Sequence, residues 1–317
     1  MTTTTAEDVA PSRAPTQGAL TARDTDIQPG HGRPALLLMA PFLVLYLVFI
    51  IGPTLYMFVM GFFDTSLVQP GLGSFAGFRN FGDALSDPAF WASMWHTVWF
   101  TILTTPPLVI LAFVFALLAD RVTRGRWFFR LAFFMPYILP SAVVALIWMW
   151  LYTPELGLLG RVATALGFAE PAWLGNPNLA MWSLALTTVW WTLGFNFVLY
   201  LAGLQDIPRD LYEAASIDGA GPWQQIRKIT IPMLARTTSL VIVLQIIASL
   251  KVFDQMYIMT SGGPNFSTRP VLEYIYDVGF TSFRTGYAAA VSTIFFIFVL
   301  AVSAVWVALT RRQEQGL

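Results

Sequence analysis

Residues 213–232 read EAASIDGAGPWQQIRKITIP, a charged stretch punctuated by glycines and prolines inside a chain that is otherwise unusually apolar. Taken locally, Asp206 caps a helix with Pro208 in its first turn, and that helix runs through Leu211, Ala214 and Ala215 to about Ile217. Gly219 and Gly221 break it. Pro222 opens a second short helix, with Trp223, Ile226 and Ile229 on one side and Gln224, Arg227 and Lys228 on the others, ending at Pro232. The product is a helix, glycine turn, helix unit with a small-residue face, where Ala214, Ala215 and Gly219 let another backbone approach closely. Its apolar ridge can fill a groove in a partner, or lie on lipid headgroups as an ordinary amphipathic loop. Spacing leaves both readings open.

Working outward, the chain has 317 residues, 56% hydrophobic and 11% charged, against roughly 25% charged in soluble domains. A bilayer core about 30 Å thick takes roughly 20 mostly apolar residues per helical span. Six runs of that kind occur, at 35–62, 92–119, 130–152, 180–204, 237–260 and 287–310, each too long and too weakly alternating for a barrel strand. The fold expected is an all-α membrane protein with six transmembrane helices. With the loops assigned alternately to two sides, thirteen of the 18 Lys and Arg fall on one side and four on the other, Lys251 being left within a span. That asymmetry places both the N and C termini in the cytoplasm. Residues 1–33 hold too little apolar content to fold and show no cleavable signal pattern, so they are expected to be a disordered cytoplasmic tail. Residues 34–312 form the membrane domain, with 206–232 as a cytoplasmic loop and 313–317 as a short C-terminal tail.

Several spans carry helix breakers at depth: Pro41 and Pro53, Pro106 and Pro107, Pro136 and Pro140, and Gly194. The backbone groups these free must be satisfied by neighbours or water, which suits a kinked bundle around a polar cavity. Lys251 and Asp254 lie three residues apart in the fifth run, on neighbouring positions of one helix. A charge at bilayer depth costs on the order of 3 kcal/mol on insertion scales, so the two side chains are expected to face the bundle interior and compensate each other. They are either part of a substrate pathway or an ion pair that only holds helices together. Asn196, Gln245 and Tyr257 add polar groups on the fourth and fifth spans that could hydrogen-bond a polar solute in such a pathway. On the outer side, Leu158, Leu159, Val162 and Leu166 fall on one face of a short helix near the interface or on a partner, and Gly262, Gly263 and Pro264 form a tight turn.

The exclusions are sharp. There is no cysteine, hence no disulfide, thiolate metal site or cysteine nucleophile. No Gly-Lys pair occurs, so no phosphate-binding loop of the G-x-x-x-x-G-K-[ST] type, and the two histidines, His31 and His96, form no metal motif or triad. No metal site and no catalytic residue is expected. A net charge of zero gives no global field for nucleic acid.

Glu213-Ala214-Ala215, Gly219, and then Ile229, Ile231 and Pro232 resemble the EAA loop of ABC importer permeases, whose pattern is E-A-A-x3-G-x9-I-x-L-P; the one departure is Ile231 for leucine. Residues 250–275, LKVFDQMYIMTSGGPNFSTRPVLEYI, are similar to the fifth span and following loop of the carbohydrate-uptake branch, the maltose, glycerol-phosphate and multiple-sugar type. The resemblance covers most of 35–310. It implies a bacterial inner-membrane permease subunit that imports an oligosaccharide or related polyol and has no catalytic activity of its own. It also implies that Glu213, Ala214, Ala215, Asp218, Gly219, Ile229 and Pro232 couple the chain to an ATPase. The implied partners are a second, non-identical permease, a dimer of ATP-binding cassette subunits that hold ATP and Mg, and an extracytoplasmic sugar-binding protein. The residues also admit an ion-coupled secondary transporter using Lys251 and Asp254, or a membrane scaffold that transports nothing.

Overall fold

The computed structural model describes residues 32–69, 71–122 and 125–314. By contact the chain divides after Pro53. The first unit contains α1 (Gly32–Tyr46), a π-helical turn at Leu47–Ile51 and the start of α2 (Gly52–Met60). The π turn has a local cause. Pro53 has no N–H to give to the carbonyl four residues back, and the ladder shifts so that Gly52 N–H bonds Leu47 O.

The second unit begins with the rest of α2 and a two-stranded antiparallel hairpin, β1 (Phe63–Asp64) and β2 (Ser74–Phe75), with Phe63 opposite Phe75. Then follow α3 (Arg79–Ser86), α4 (Pro88–Arg121), α5 (Arg126–Ile138), α6 (Ser141–Tyr152), α7 (Leu158–Ala165) and α8 (Pro177–Gln205). After these come α9 (Arg209–Ile217), α10 (Pro222–Gln225), a π turn at Ile226–Thr230, α11 (Ile231–Met233) and α12 (Ala235–Leu250). The chain ends with α13 (Asp254–Thr260), α14 (Val271–Tyr276), a π turn at Asp277–Thr281 and α15 (Thr285–Glu314). The π turn before Pro232 repeats the arrangement before Pro53, with Ile231 N–H reaching back to Ile226 O.

Leu37–Met60, Pro88–Arg121, Pro177–Gln205 and Thr285–Leu309 are each long and apolar enough to cross a membrane. Two helix pairs reach that length only when taken together, Trp127–Ile138 with Ser141–Tyr152 bent by 95° and Pro222–Met233 with Ala235–Leu250 bent by 63°, so the described residues hold four spans, or up to six if each bent pair is one. The third run, expected over 130–152 with a kink from Pro136 or Pro140, is broken at Leu139 and Pro140. The fifth, expected to run unbroken over 237–260, stops at Leu250 and restarts at Asp254. By contrast α4 continues through Pro106 and Pro107. The tail expected over 1–33 lies outside the described residues except for Gly32 and Arg33, which already belong to α1; at the other end α15 reaches Glu314, inside the tail expected at 313–317.

Helices α4 and α8 run parallel at the centre. Phe100 and Leu103 of α4 meet Met181 and Leu184 of α8 at one end, and Ala112 and Ala116 meet Phe197, Tyr200 and Leu201 at the other. Burying apolar surface between helices gains little in lipid, so close packing must hold them, and small residues allow it. Gly194 is the extreme case. A Cβ built there lies 2.0 Å from Phe133 O, so α5 and α8 touch backbone to backbone. Gly194 therefore serves close approach and not a kink.

At the α4 start, Asp87 caps the helix by accepting from Ala89 N–H, and it also accepts from the hydroxyls of Tyr274 and Tyr287. One carboxylate so ties α4, α14 and α15. Burial raises the pKa of Asp87, but the hydrogen bonds from Tyr274, Ala89 and Tyr287 outweigh it and hold the carboxyl below its usual range. The 261–270 segment is a turn, as expected: Ser261 and Gly262 take positive φ, and Thr268 Oγ1 donates to Gly263 O at 2.7 Å. Behind it Glu273 is buried, 1% exposed, with Oε2 lacking a hydrogen-bond partner. Arg269 holds Asp277 at 3.7 Å. Burial first, and then the Asp277 carboxylate, push the Glu273 carboxyl up to about 7 against the pull of Arg269. Burial likewise raises Asp277, against Arg269.

Candidate functional site

The stretch at 206–232 folds as two short helices about a glycine turn. Asp206 does not cap the first of them; it closes α8, and α9 starts at Arg209 with no side-chain cap. At the far end of α9, Ala220 N–H bonds Ala215 O at 2.8 Å and Gly219 N–H bonds Ser216 O at 3.1 Å. This paired closure puts its glycine in the left-handed region, and Gly219 has φ of +81°. A Cβ at Gly219 would meet nothing within 4 Å in this chain, so the demand is on the backbone. Gly221, with φ of −70°, takes an ordinary extended conformation and is not a second breaker. Its N–H donates to Gln224 Oε1 at 3.1 Å, which closes the first turn of α10.

The two halves are bolted together. Tyr212 and Thr230 share a hydrogen bond at 2.9 Å, and Gln225 Nε2 donates to Ser216 Oγ at 2.9 Å. Ile226 and Ile229 turn inward, Ile229 onto the cluster of Leu204 and Leu234, so the expected ridge of Trp223, Ile226 and Ile229 is not one exposed face. Glu213, Ala214 and Asp218 are exposed and Ala215 is half-buried, while Ile217 (87%) and Trp223 (71%) stand out of the unit. Pro232 follows the π turn and is exposed. The surface on offer is therefore small residues and two acids beside two bare apolar side chains.

Some way along the spans lies a cavity of about 280 Å³. Its walls carry Phe100, Tyr137, Trp191, Phe195 and Phe253 as rings, and Ser141, Thr188, Thr192, Gln245, Ser249 and Gln255 as hydroxyls and amides, with Lys251 and Asp254 at the break. Three helix ends converge here. Lys251 closes α12, Asp254 opens α13, and Ser141 opens α6 after Pro140, with Ser141 Oγ donating to Asp254 Oδ2 at 3.5 Å.

The expectation that Lys251 and Asp254 sit on neighbouring positions of one helix and compensate each other is not met. Among the described residues no ion pair joins them, and both are exposed. Each instead complements a dipole, a cation at the α12 C-terminus and an anion at the α13 N-terminus. Discontinuous helices ending at a polar cavity are how membrane transporters present backbone and charge to a cargo.

Gln245 is on the wall and accepts from Asn196 Nδ2 at 3.2 Å, so Asn196, 1% exposed, supports the wall from behind. Tyr257 lies outside the lining; its ring stacks on Phe253 with centroids 5.4 Å apart. Sequence reasoning missed Gln255, which accepts from Thr188 Oγ1 at 2.8 Å and donates to Leu184 O at 3.1 Å, and Trp191, whose Nε1 donates to Leu139 O at 3.2 Å. Their one signal was position: Gln255 follows the charged break directly, and Trp191 is flanked by Thr187, Thr188 and Thr192. No cluster of three or more metal-ligating side chains exists among the described residues.

Kinked spans, a polar cavity where helices end and a protruding helical unit define a membrane-embedded transport subunit, and the chain belongs to the binding-protein-dependent transport system inner membrane component family, whose model matches residues 109–315. It is 35% identical over 280 residues to the sulfoquinovosyl glycerol transport system permease protein SmoG of Agrobacterium fabrum, covering 88% of this chain and 91% of that one. It is also 35% identical to the trehalose/maltose transport system permease protein MalF of Thermococcus litoralis, covering 87% and 92%. To the sn-glycerol-3-phosphate transport system permease protein UgpA of Agrobacterium fabrum it is 33% identical, covering 84% and 91%. The same fold occurs in the crystal structure of a bacterial ABC transporter for alginate import, at a TM-score of 0.76 and 23% identity over 89% of this chain and 97% of that one.

Proposed function

We propose that this chain is the transmembrane permease subunit of an ATP-driven importer that carries a carbohydrate, an oligosaccharide or related polyol, across the bacterial cytoplasmic membrane. The observation that carries the reading is the unit at 209–233: an E-A-A-x3-G stretch closed by a left-handed Gly219, presenting Glu213, Ala214, Ile217 and Trp223 outward. A loop with bare apolar side chains outside the spans is suited to a protein groove. The chain has no phosphate-binding loop of its own, so ATP and Mg belong to the partner cassette subunits. Six spans with both termini in the cytoplasm follow from counting α5 with α6 as one bent span, from taking α12 as another that the cytoplasmic 222–233 segment enters at 63°, and from the charge asymmetry. Relatives named for sugars and polyols support the cargo class, as does a cavity of aromatic faces between hydroxyls and amides, since a sugar offers an apolar ring face and a rim of hydroxyls.

In this reading the second permease completes the translocation path and an extracytoplasmic binding protein delivers the sugar. ATP binding draws the cassette subunits together and moves the 206–232 unit. The spans tilt, the cavity opens outward, and hydrolysis resets it. An ion-driven carrier working through Lys251 and Asp254 would need no such unit and would transport alone. Reconstitution into vesicles with and without the cassette subunits, scored by ATP-dependent uptake of labelled oligosaccharide, separates them. Uptake by this chain without its ATPase overturns the proposal.

A further inference from the structure

The helix α7 sits at the end of α8 opposite the 206–232 unit, joined to α6 by five residues. It divides into three sectors at 3.6 residues per turn. Leu159, Gly160 and Ala163 turn inward: Leu159 packs against the cluster of Trp148 and Tyr152, and Gly160 is buried where an added Cβ would strike Glu170 Oε1. Glu170 also accepts from Glu155 N–H at 2.6 Å, which locks the helix to its flanking loops. Arg161 and Thr164 occupy a second, polar sector and are exposed. Leu158 (54%), Val162 (46%) and Leu166 (69%) form the third, a bare apolar row.

A free loop helix needs two faces, one wet and one against the protein. A third face, apolar and set between the other two, needs a third medium. That medium is continuous with the surface beside it: exposed Leu146 and Trp150 climb α6 toward α7, and exposed Trp91, Trp95 and Trp182 mark the same end of α4 and α8, with Trp95 stacked on Trp99 and Trp99 edge-on to Trp182. Exposed tryptophans at helix ends lie at the boundary of headgroups and acyl chains. We infer that α7 is an interfacial helix whose Leu158, Val162 and Leu166 row is seated in lipid at that boundary, with Arg161 and Thr164 toward water. The inference stands on the spans alone, whatever the chain carries.

The chain has no cysteine, so single nitroxide labels can be placed cleanly on the full protein in phospholipid nanodiscs. Labels at Val162→Cys and Leu166→Cys should be relaxed mainly by oxygen, and one at Thr164→Cys mainly by a water-soluble nickel chelate. The inference fails if nickel dominates at 162 and 166 as well. It also fails if those two labels lose their exposure to nickel only when a soluble binding protein is added, since the row would then be a protein-docking face. Because all three labels sit on one short helix, the contrast between 164 and its neighbours survives any global loosening of the fold.

Discussion

Glu273→Gln isolates one buried acid. The ordinary value of a glutamate is 4.5, and burial beside Asp277 moves Glu273 to about 7. Between those values the folded chain keeps a proton that the unfolded chain has released, so stability falls as pH rises through that window and levels off above about 7. At about 1.4 kcal/mol per pH unit the loss is on the order of 3 kcal/mol. Glutamine keeps the shape and never ionises, so the variant should lack this slope. Unfolding midpoints followed by tryptophan fluorescence in detergent, from pH 5 to 8.5, should coincide near pH 5 and diverge as pH rises, the variant being more stable at pH 8. Arg269 and Asp277 remain in both proteins, so their contributions largely cancel in the difference. Parallel curves would refute the reasoning, because they would mean that Glu273 ionises in the folded state as readily as in water.

Gly219→Val should insert normally yet lose ATP-coupled uptake, since forcing φ of +81° on a β-branched residue costs about 1–2 kcal/mol; Gly219→Asn should retain most coupling, and equal loss in both variants would shift the cause from backbone to surface. Lys251→Met and Asp254→Leu should act independently, with a coupling energy below about 0.5 kcal/mol in a double-mutant cycle of complex stability; rescue of one by the other would restore the ion pair that the geometry lacks. Gly194→Ala places a methyl 2.0 Å from Phe133 O and should lower the thermal midpoint by several degrees through about 1–3 kcal/mol of overpacking; an unchanged midpoint would show that α5 and α8 can part freely.

The long apolar runs were legible in the sequence because a span must satisfy its own backbone over about 20 residues, which no composition can hide. The glycine turn was legible for a similar reason: Gly219 and Gly221 alone there can take a left-handed conformation without penalty, and the structure uses Gly219. The break at 251–253 was not. Lys-Val-Phe-Asp contains no proline or glycine, and the helix stops because Phe253, at φ −146° and ψ −68°, leaves the ladder while the chain turns to stack α13 on α6. Tertiary packing sets that break, and with it the three helix ends that make the cavity. Gln245, Lys251 and Asp254 were picked out by polarity alone and do line the cavity, with Asn196 behind Gln245; Tyr257 was picked out the same way and lies outside the lining. Gly221 looks like a second breaker in sequence, yet it caps the start of α10, because the amide of Gln224 reaches back to its N–H.

The backbone contact between Gly194 and Phe133 couples two spans mechanically. With no side-chain layer to slide, α5 must travel with α8 as one plate. Beyond Leu139 and Pro140 the chain turns through 95°, and α6 packs on α13 while staying on α8, where the Tyr152 hydroxyl donates to Ser183 O at 2.8 Å. Both halves of the bent pair therefore rest on α8, and the two-residue corner is where the chain changes direction across it. Ser141, Lys251 and Asp254 line the cavity just past that corner, so the angle of the corner sets the width of the cavity mouth at those three residues.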